Sequence, residues 1–199
     1  MSSGKHYFAI YKPYGMLSQF TREAPHHRVL GDLYDFPKDV YPLGRLDQDS
    51  EGLLLLTNDK RLNQALLHPS RGHRRTYWVQ VEGLPTATAL ERLRRGVTIR
   101  IKKKAHHCLP MVVEEIPPPP LPDRDPPVRF RKSVPTTWLS LSLTEGKNRQ
   151  VRRMCAAVGC PVLRLVRYAI EDLTLEDMSS ASVKSLAVGI LKKQLKLIF

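Results

Sequence analysis

Apolar and polar positions alternate or recur along this chain in short, well-bounded stretches. His6–Tyr11 (HYFAIY) reads as a strand, and KPYG, 12 to 15, ends it in a turn. Residues 16 to 43 are loop-rich, with a helix turn predicted within VLGDLYDF. Leu53–Thr57 is a continuous apolar run of strand length, the pattern of a strand buried on both faces. Asp59 then caps a short helix over KRLNQALL, which stops at His68-Pro69 because proline disfavours helical geometry in the residue before it. In RRTYWVQVEG, 74 to 83, Tyr77, Val79 and Val81 alternate with Thr76, Trp78 and Gln80 as in a strand.

From Thr86 to Arg95 the period changes to helical, with Ala89, Leu90 and Leu93 inward and Gly96 as the stop. VTIRI and CLPMVVEEI read as strands. IPPPPLPDRDPP, 116 to 127, holds seven prolines and reads as a semi-rigid loop. TWLSLSLTEG, 137 to 146, alternates strictly. Val151, Met154, Cys155 and Val158 then recur at helical spacing, between Asn148 as N-cap and Gly159 as stop. VLRLVRYAI is a further strand, and KSLAVGILKKQLKLIF is expected to be a closing amphipathic helix. Strands and helices mix without a regular βαβ beat, so the expected class is α+β with a mixed, mostly antiparallel sheet.

Composition changes this picture in one respect. Hydrophobic and charged fractions of 42% and 26% are ordinary, but the net charge is +13. From Arg71 to Lys104 ten Lys or Arg face two Glu, and KNRQVRR groups four cations at one helix start. Such clusters beside apolar strands suit a polyanion, nucleic acid first. The three cysteines, Cys108, Cys155 and Cys160, lack framework or zinc-knuckle spacing and read as buried thiols in a reducing compartment. The N-terminus lacks signal-peptide character, and no apolar run approaches the ~20 residues that span a bilayer. A cytoplasmic protein with no membrane partner is expected.

Candidate chemistry concentrates in GRLDQDSEGLLLLTND, 44 to 59. Asp47, Asp49, Glu51 and Gly52 fall on positions 1, 3, 5 and 6 of a calcium loop, but position 12 is Asn58 and DVYPLGRLD makes a poor entering helix. Turn formation and capping account for Asp49, Ser50 and Asp59. Asp47 fits that less well, because it follows Leu46 and feeds a buried strand, where a carboxylate needs a positive partner.

KPYG, GRLDxxSEGLLLLTND, RTYWVQVEG and EGKNRQVRRMxxxxGxPVxxLxR occur in this order between residues 12 and 167. Together they resemble the RsuA-type ribosomal pseudouridine synthases, in particular the short members without an N-terminal S4 domain. The resemblance implies the family's α+β catalytic fold, its sheet in two halves with the active cleft across it, as a single catalytic domain over 1 to 199. It implies isomerisation of uridine to pseudouridine in ribosomal RNA, the large subunit favoured, by a monomer with no cofactor and no metal.

Residue by residue, Asp47 matches the catalytic aspartate. Tyr77 matches the tyrosine that stacks on the flipped base, against the plainer reading of a core-facing strand aromatic. Arg152 matches the arginine that pairs with the aspartate. Lys12, Arg45, Lys147, Arg149, Arg153 and Arg167 are the expected RNA-binding or supporting cations. The chain departs from the family at Ile170-Glu171, where a glycine usually follows the isoleucine, and in its C-terminal segment.

Overall fold

The computed structural model describes residues 4–68, 71–129 and 131–197. It comprises two compact units, one formed by the chain up to His73 and from Arg167 onward, the other by Arg74–Val166.

The first unit is built on β1 (Tyr7–Lys12), β2 (Tyr41–Pro42) and β3 (Glu51–Thr57), with β10 (Leu173–Thr174), β11 (Val183–Ser185) and the last residues of β9 (Val162–Ile170). The strand order is β11-β1-β3-β9, with β2 on β3 and β10 on β9. β1 and β3 pair antiparallel, with Ile10 opposite Leu54 and Lys12 opposite Gly52. Every residue of both strands is buried, which is why LLLL is continuous rather than alternating. Helix α1 (Lys60–Leu67) follows, and Asp59 accepts from the Arg61 N–H at 3.1 Å as its N-cap. The Tyr7 hydroxyl donates to the same carboxylate at 2.9 Å. Hydrogen bonds from Arg61 hold the Asp59 carboxyl far below the usual carboxylate range. The helix stops with His68 in extended geometry (φ −65°, ψ 124°), as a following proline requires; Pro69 itself lies outside the described residues. The helix turn expected near Val29 is a single 3-10 turn, Leu30–Asp32.

The C-terminal segment differs from expectation. Val183–Ser185 is a strand added to the edge of β1, with Val183 opposite Ile10, and α4 covers only Val188–Gln194. The unpaired backbone edge of β1 captures these residues before a helix can start. The last two residues of the expected helix lie outside the described residues.

The second unit has the order β9-β4-β8-β7, from the first residues of β9 with β4 (Arg75–Glu82), β8 (Thr136–Leu143) and β7 (Val112–Ile116). Val79 lies opposite Leu139, and Leu139 opposite Glu115, both pairings antiparallel. Val79, Val81, Leu139 and Leu141 on this sheet pack with Leu93 of α2 (Ala87–Arg95) and with Val151, Met154 and Cys155 of α3 (Gln150–Ala157) in one core. Thr86 caps α2 by accepting from the Ala89 N–H at 3.1 Å. Gly96 ends it at φ +90°, where an added Cβ would lie 2.1 Å from the Cys108 carbonyl oxygen.

Two local expectations fail here. Lys104–His107 is a strand, β6, which pairs antiparallel with β5 (Thr98–Ile101), while Cys108–Met111 is not part of a strand. The hairpin turns on Lys102 and Lys103, both at positive φ (46° and 67°). A two-residue turn of that hand normally carries Asn-Gly, so Lys-Lys gave no signal. At α3 the N-cap is Arg149, in left-handed geometry (φ 49°), and Asn148 does not cap. Gln150 instead reaches back, its side-chain oxygen accepting from the Lys147 N–H at 2.9 Å. The proline-rich stretch has no regular structure and is held by Arg164, which donates to the Pro122 carbonyl at 2.9 Å. All three cysteines are free and buried. Among the described residues no helix is long and apolar enough to cross a membrane. The expected α+β class holds.

Candidate active site

In the first unit Asp47 sits, partly buried, in the turn that delivers the chain into β3. That turn is laced to the loop after β1. Ser18 Oγ donates to the Leu46 carbonyl at 2.8 Å and accepts from the Leu46 N–H at 3.0 Å. The Gly15 N–H donates to the Gln48 carbonyl at 2.8 Å, and the Ser50 N–H donates to the Asp47 carbonyl at 3.0 Å. KPYG and GRLDQDS thus form one folded piece, and the loop after β1 fixes the backbone on either side of Asp47.

Lys12 lies at the centre of this piece. Its side chain is fully buried, and Nζ donates to the carbonyls of Met16 at 2.7 Å and Pro13 at 3.0 Å. Burial pushes its ammonium down to about 7, against the attraction of Glu51, Asp49 and Asp47 and with the help of repulsion from Arg167. The acidic residues of DQDSE therefore act on a lysine, an arrangement unlike a calcium loop. Arg167 is also buried (5% exposed), and its Nε donates to the Leu53 carbonyl at 2.7 Å. Gly52 makes this approach possible. At φ +114° its Cβ, if present, would stand 2.4 Å from the Arg167 carbonyl oxygen.

Of the expected RNA-binding or supporting cations, Lys12 and Arg167 are buried, with their donors turned to backbone carbonyls. Arg45 is exposed and donates to Gln19 Oε1 at 2.8 Å.

In the second unit Tyr77 is half-buried on β4, on the same face as Val79 and Val81, and packs against the core of that unit. Arg152 is partly buried on α3, with Nη1 3.5 Å from the Val162 carbonyl. It lies close enough to Cys155 to favour the thiolate, yet burial and the neighbouring Cys160 still push that thiol up to about 12. Arg153 faces elsewhere, as the ~100° step per helical residue requires. It donates to the Arg100 carbonyl at 2.8 Å and to the Asn148 carbonyl at 3.2 Å, and so braces the β5–β6 hairpin against α3. Lys147 and Arg149 are exposed, as are Arg92, Arg95, Arg100 and Lys102–Lys104.

The sequence reading missed two residues that shape these pieces. One is Ser18, which clamps Leu46. The other is Glu145, whose carboxylate accepts from Gln150 Nε2 at 2.7 Å, from the Leu109 N–H at 3.1 Å and from His106 Nε2 at 2.5 Å. Burial pushes its carboxyl up, but these donors outweigh burial and hold it below the usual range. For Glu145 the only sequence signal was its place at the head of EGKNRQVRR.

Comparison with known proteins gives consistent results. Residues 6–157 match the family model described as RNA pseudouridylate synthase. The chain is 50% identical over 177 residues to a ribosomal large subunit pseudouridine synthase E of Vibrio vulnificus, covering 89% of this chain and 73% of that one. It is 52% identical to the enzyme of the same name from Xanthomonas axonopodis, covering 84% and 87%. A ribosomal large subunit pseudouridine synthase B of Bacillus subtilis is 32% identical over 94% of this chain and 70% of its own. A crystal structure of a pseudouridylate synthase superposes with a TM-score of 0.74 at 23% identity, over 96% of this chain and 74% of that one, a likeness of fold.

Proposed function

The chain belongs to the RNA pseudouridylate synthase family, and we propose that it isomerises one uridine of large-subunit ribosomal RNA to pseudouridine. The observation that carries this reading is half-identity to the large-subunit synthases over more than four-fifths of the chain. In the reaction the bond from N1 of uracil to C1′ of ribose breaks, the base turns, and a bond from C5 to C1′ forms. The proton leaves C5 and N1 gains one, so atoms and charge balance with no cofactor. Asp47 supplies the carboxylate that serves glycosidic cleavage, which needs a group that is ionised and held in place. The lacing of its turn to Gly15–Ser18 supports that role by fixing the backbone in advance.

Tyr77 supplies a partly exposed ring on a strand, suited to stack on an extruded base. Arg152 supplies the guanidinium that the family pairs with its aspartate. Lys12 and Arg167 support the Asp47 turn from inside. Arg45, Lys147 and Arg149 contact phosphate; Arg153 contributes indirectly, by bracing the hairpin that carries Lys102–Lys104. A large-subunit RNA substrate places the reaction in the cytoplasm.

The test is tritium release. Large-subunit ribosomal RNA labelled at C5 of uridine is incubated with wild-type protein and with Asp47→Asn. Release by wild type alone is expected. Release from small-subunit RNA or transfer RNA but not from this RNA would overturn the substrate, and equal release by Asp47→Asn would overturn the role of Asp47.

A further inference from the structure

His106, Cys108 and Glu145 place an imidazole nitrogen, a thiol sulfur and a carboxylate oxygen all within 4.8 Å of one another. None of the three has a part in the uridine chemistry. We propose that they form a binding site for one divalent ion of the zinc type, which fastens the end of β6 to the turn leading into α3.

The local structure prepares each ligand. Side chains two apart on an extended chain share a face, so His106 and Cys108 project together while His107 projects away. The backbone at Cys108 is fixed from two directions. Its N–H donates to the Val97 carbonyl at 3.1 Å, and Gly96 packs so tightly against its carbonyl that no Cβ fits there. Glu145 comes from a segment 37 residues further along than Cys108, and its two oxygens have different tasks. Oε2 accepts from the Leu109 N–H and from the Gln150 amide, which orients the carboxylate. Oε1 is turned toward His106 Nε2 at 2.5 Å. A carboxylate with one oxygen anchored by neighbouring donors and the other presented is how a single-oxygen metal ligand is positioned.

The donor set selects the ion. One thiolate, one imidazole and one carboxylate suit a borderline ion in tetrahedral geometry, with water as the fourth ligand. Magnesium and calcium require mainly oxygen ligands, and only one carboxylate is offered. Cys108 is fully buried and the Glu145 side chain nearly so, while the His106 side chain is 32% exposed, which leaves one side open for entry of the ion and for its water. On binding, the metal–sulfur bond replaces the thiol proton of Cys108, which goes to solvent, while His106 binds as the neutral imidazole through Nε2 with its proton on Nδ1. The consequence is structural. Glu145 is followed closely by the exposed Lys147 and Arg149 and by α3, so the ion would fix the base of that cationic turn, alongside the Arg153–Arg100 brace.

The test uses tag-free full-length protein, stripped with a chelator and titrated with Co2+ in the absence of added thiols. One equivalent should produce a thiolate-to-cobalt charge-transfer band with four-coordinate visible bands, and one equivalent of Zn2+ should bleach both. Cys108→Ser should lose the charge-transfer band although Cys155 and Cys160 remain. His106→Gln, at a partly exposed position, should weaken Zn2+ binding at least ~10-fold in competition with a chromophoric chelator. No saturation at one equivalent in the wild type overturns the proposal, as does a charge-transfer band that persists in Cys108→Ser. If Cys108→Ser does not fold, unchanged Zn2+ affinity in His106→Gln overturns it instead.

Discussion

A single buried amine shows how much one residue can organise. Lys12 carries a charge into a core because Pro13 and Met16 offer carbonyls and because Asp47, Asp49 and Glu51 attract it. Its folded-state value near 7 lies below the unfolded 10.5, so between these values the unfolded chain holds a proton that the folded chain has lost. Stability contributed through this group therefore rises with pH across that window, by an amount on the order of a few kcal/mol. Denaturation of wild type and Lys12→Met from pH 6 to 10 should show a rising difference between the two that flattens below 7; parallel curves would refute a depressed amine. At the same scale, Asp47→Asn should abolish turnover yet keep RNA affinity within about tenfold, because affinity rests on phosphate contacts. Filter binding beside the tritium assay checks this, and loss of binding as the sole defect would remove Asp47 from the chemistry.

Elements here are held by contacts that ignore distance along the chain. Arg167 of β9 binds the carbonyl of Leu53 in β3 across 114 residues, and Gly52 is what allows the two backbones to meet. Gly52→Ala places a methyl group against backbone at a positive φ, so it should cost roughly 2–4 kcal/mol and disturb the turn that carries Asp47. Urea denaturation should show the loss together with reduced turnover; an unchanged midpoint would mean that β3 and β9 move apart at little cost. The α3 helix teaches the same lesson in its cap. Asn148 has the right chemistry for an N-cap, but its carbonyl and side-chain oxygen both accept from Arg153, and Arg149 takes the cap position in left-handed geometry.

For the whole molecule, the +13 charge suits an RNA partner and makes its binding sensitive to salt. Lys102–Lys104, Lys147 and Arg149 are exposed and are the cations we propose as phosphate contacts, whereas Lys12 and Arg167 are buried. If roughly six phosphates are neutralised, RNA affinity should fall by about 10³ between 50 and 200 mM salt. A salt series by fluorescence anisotropy checks it, and a flat series would sink the phosphate-tracking surface.

Local information carried far in this chain. Period and punctuation placed β1, β3, β4, β8, β9 and the helices α1 and α2, because in those segments the side-chain pattern, the caps and the buried faces agree. The ordered motifs around Asp47, Tyr77 and Arg152 carried the family resemblance, and the family model matches residues 6–157, which contain all three. Pairing between distant segments decided the rest. β6 formed because β5 supplied a partner, and Val183–Ser185 became strand because β1 had an open edge. That Lys12 and Arg167 are buried was not legible, because the carbonyls that hold their charge inside the fold are supplied by loop geometry and by a strand 114 residues away. A sequence states which groups are charged, but whether a charge faces water or a carbonyl depends on what the folded chain brings beside it.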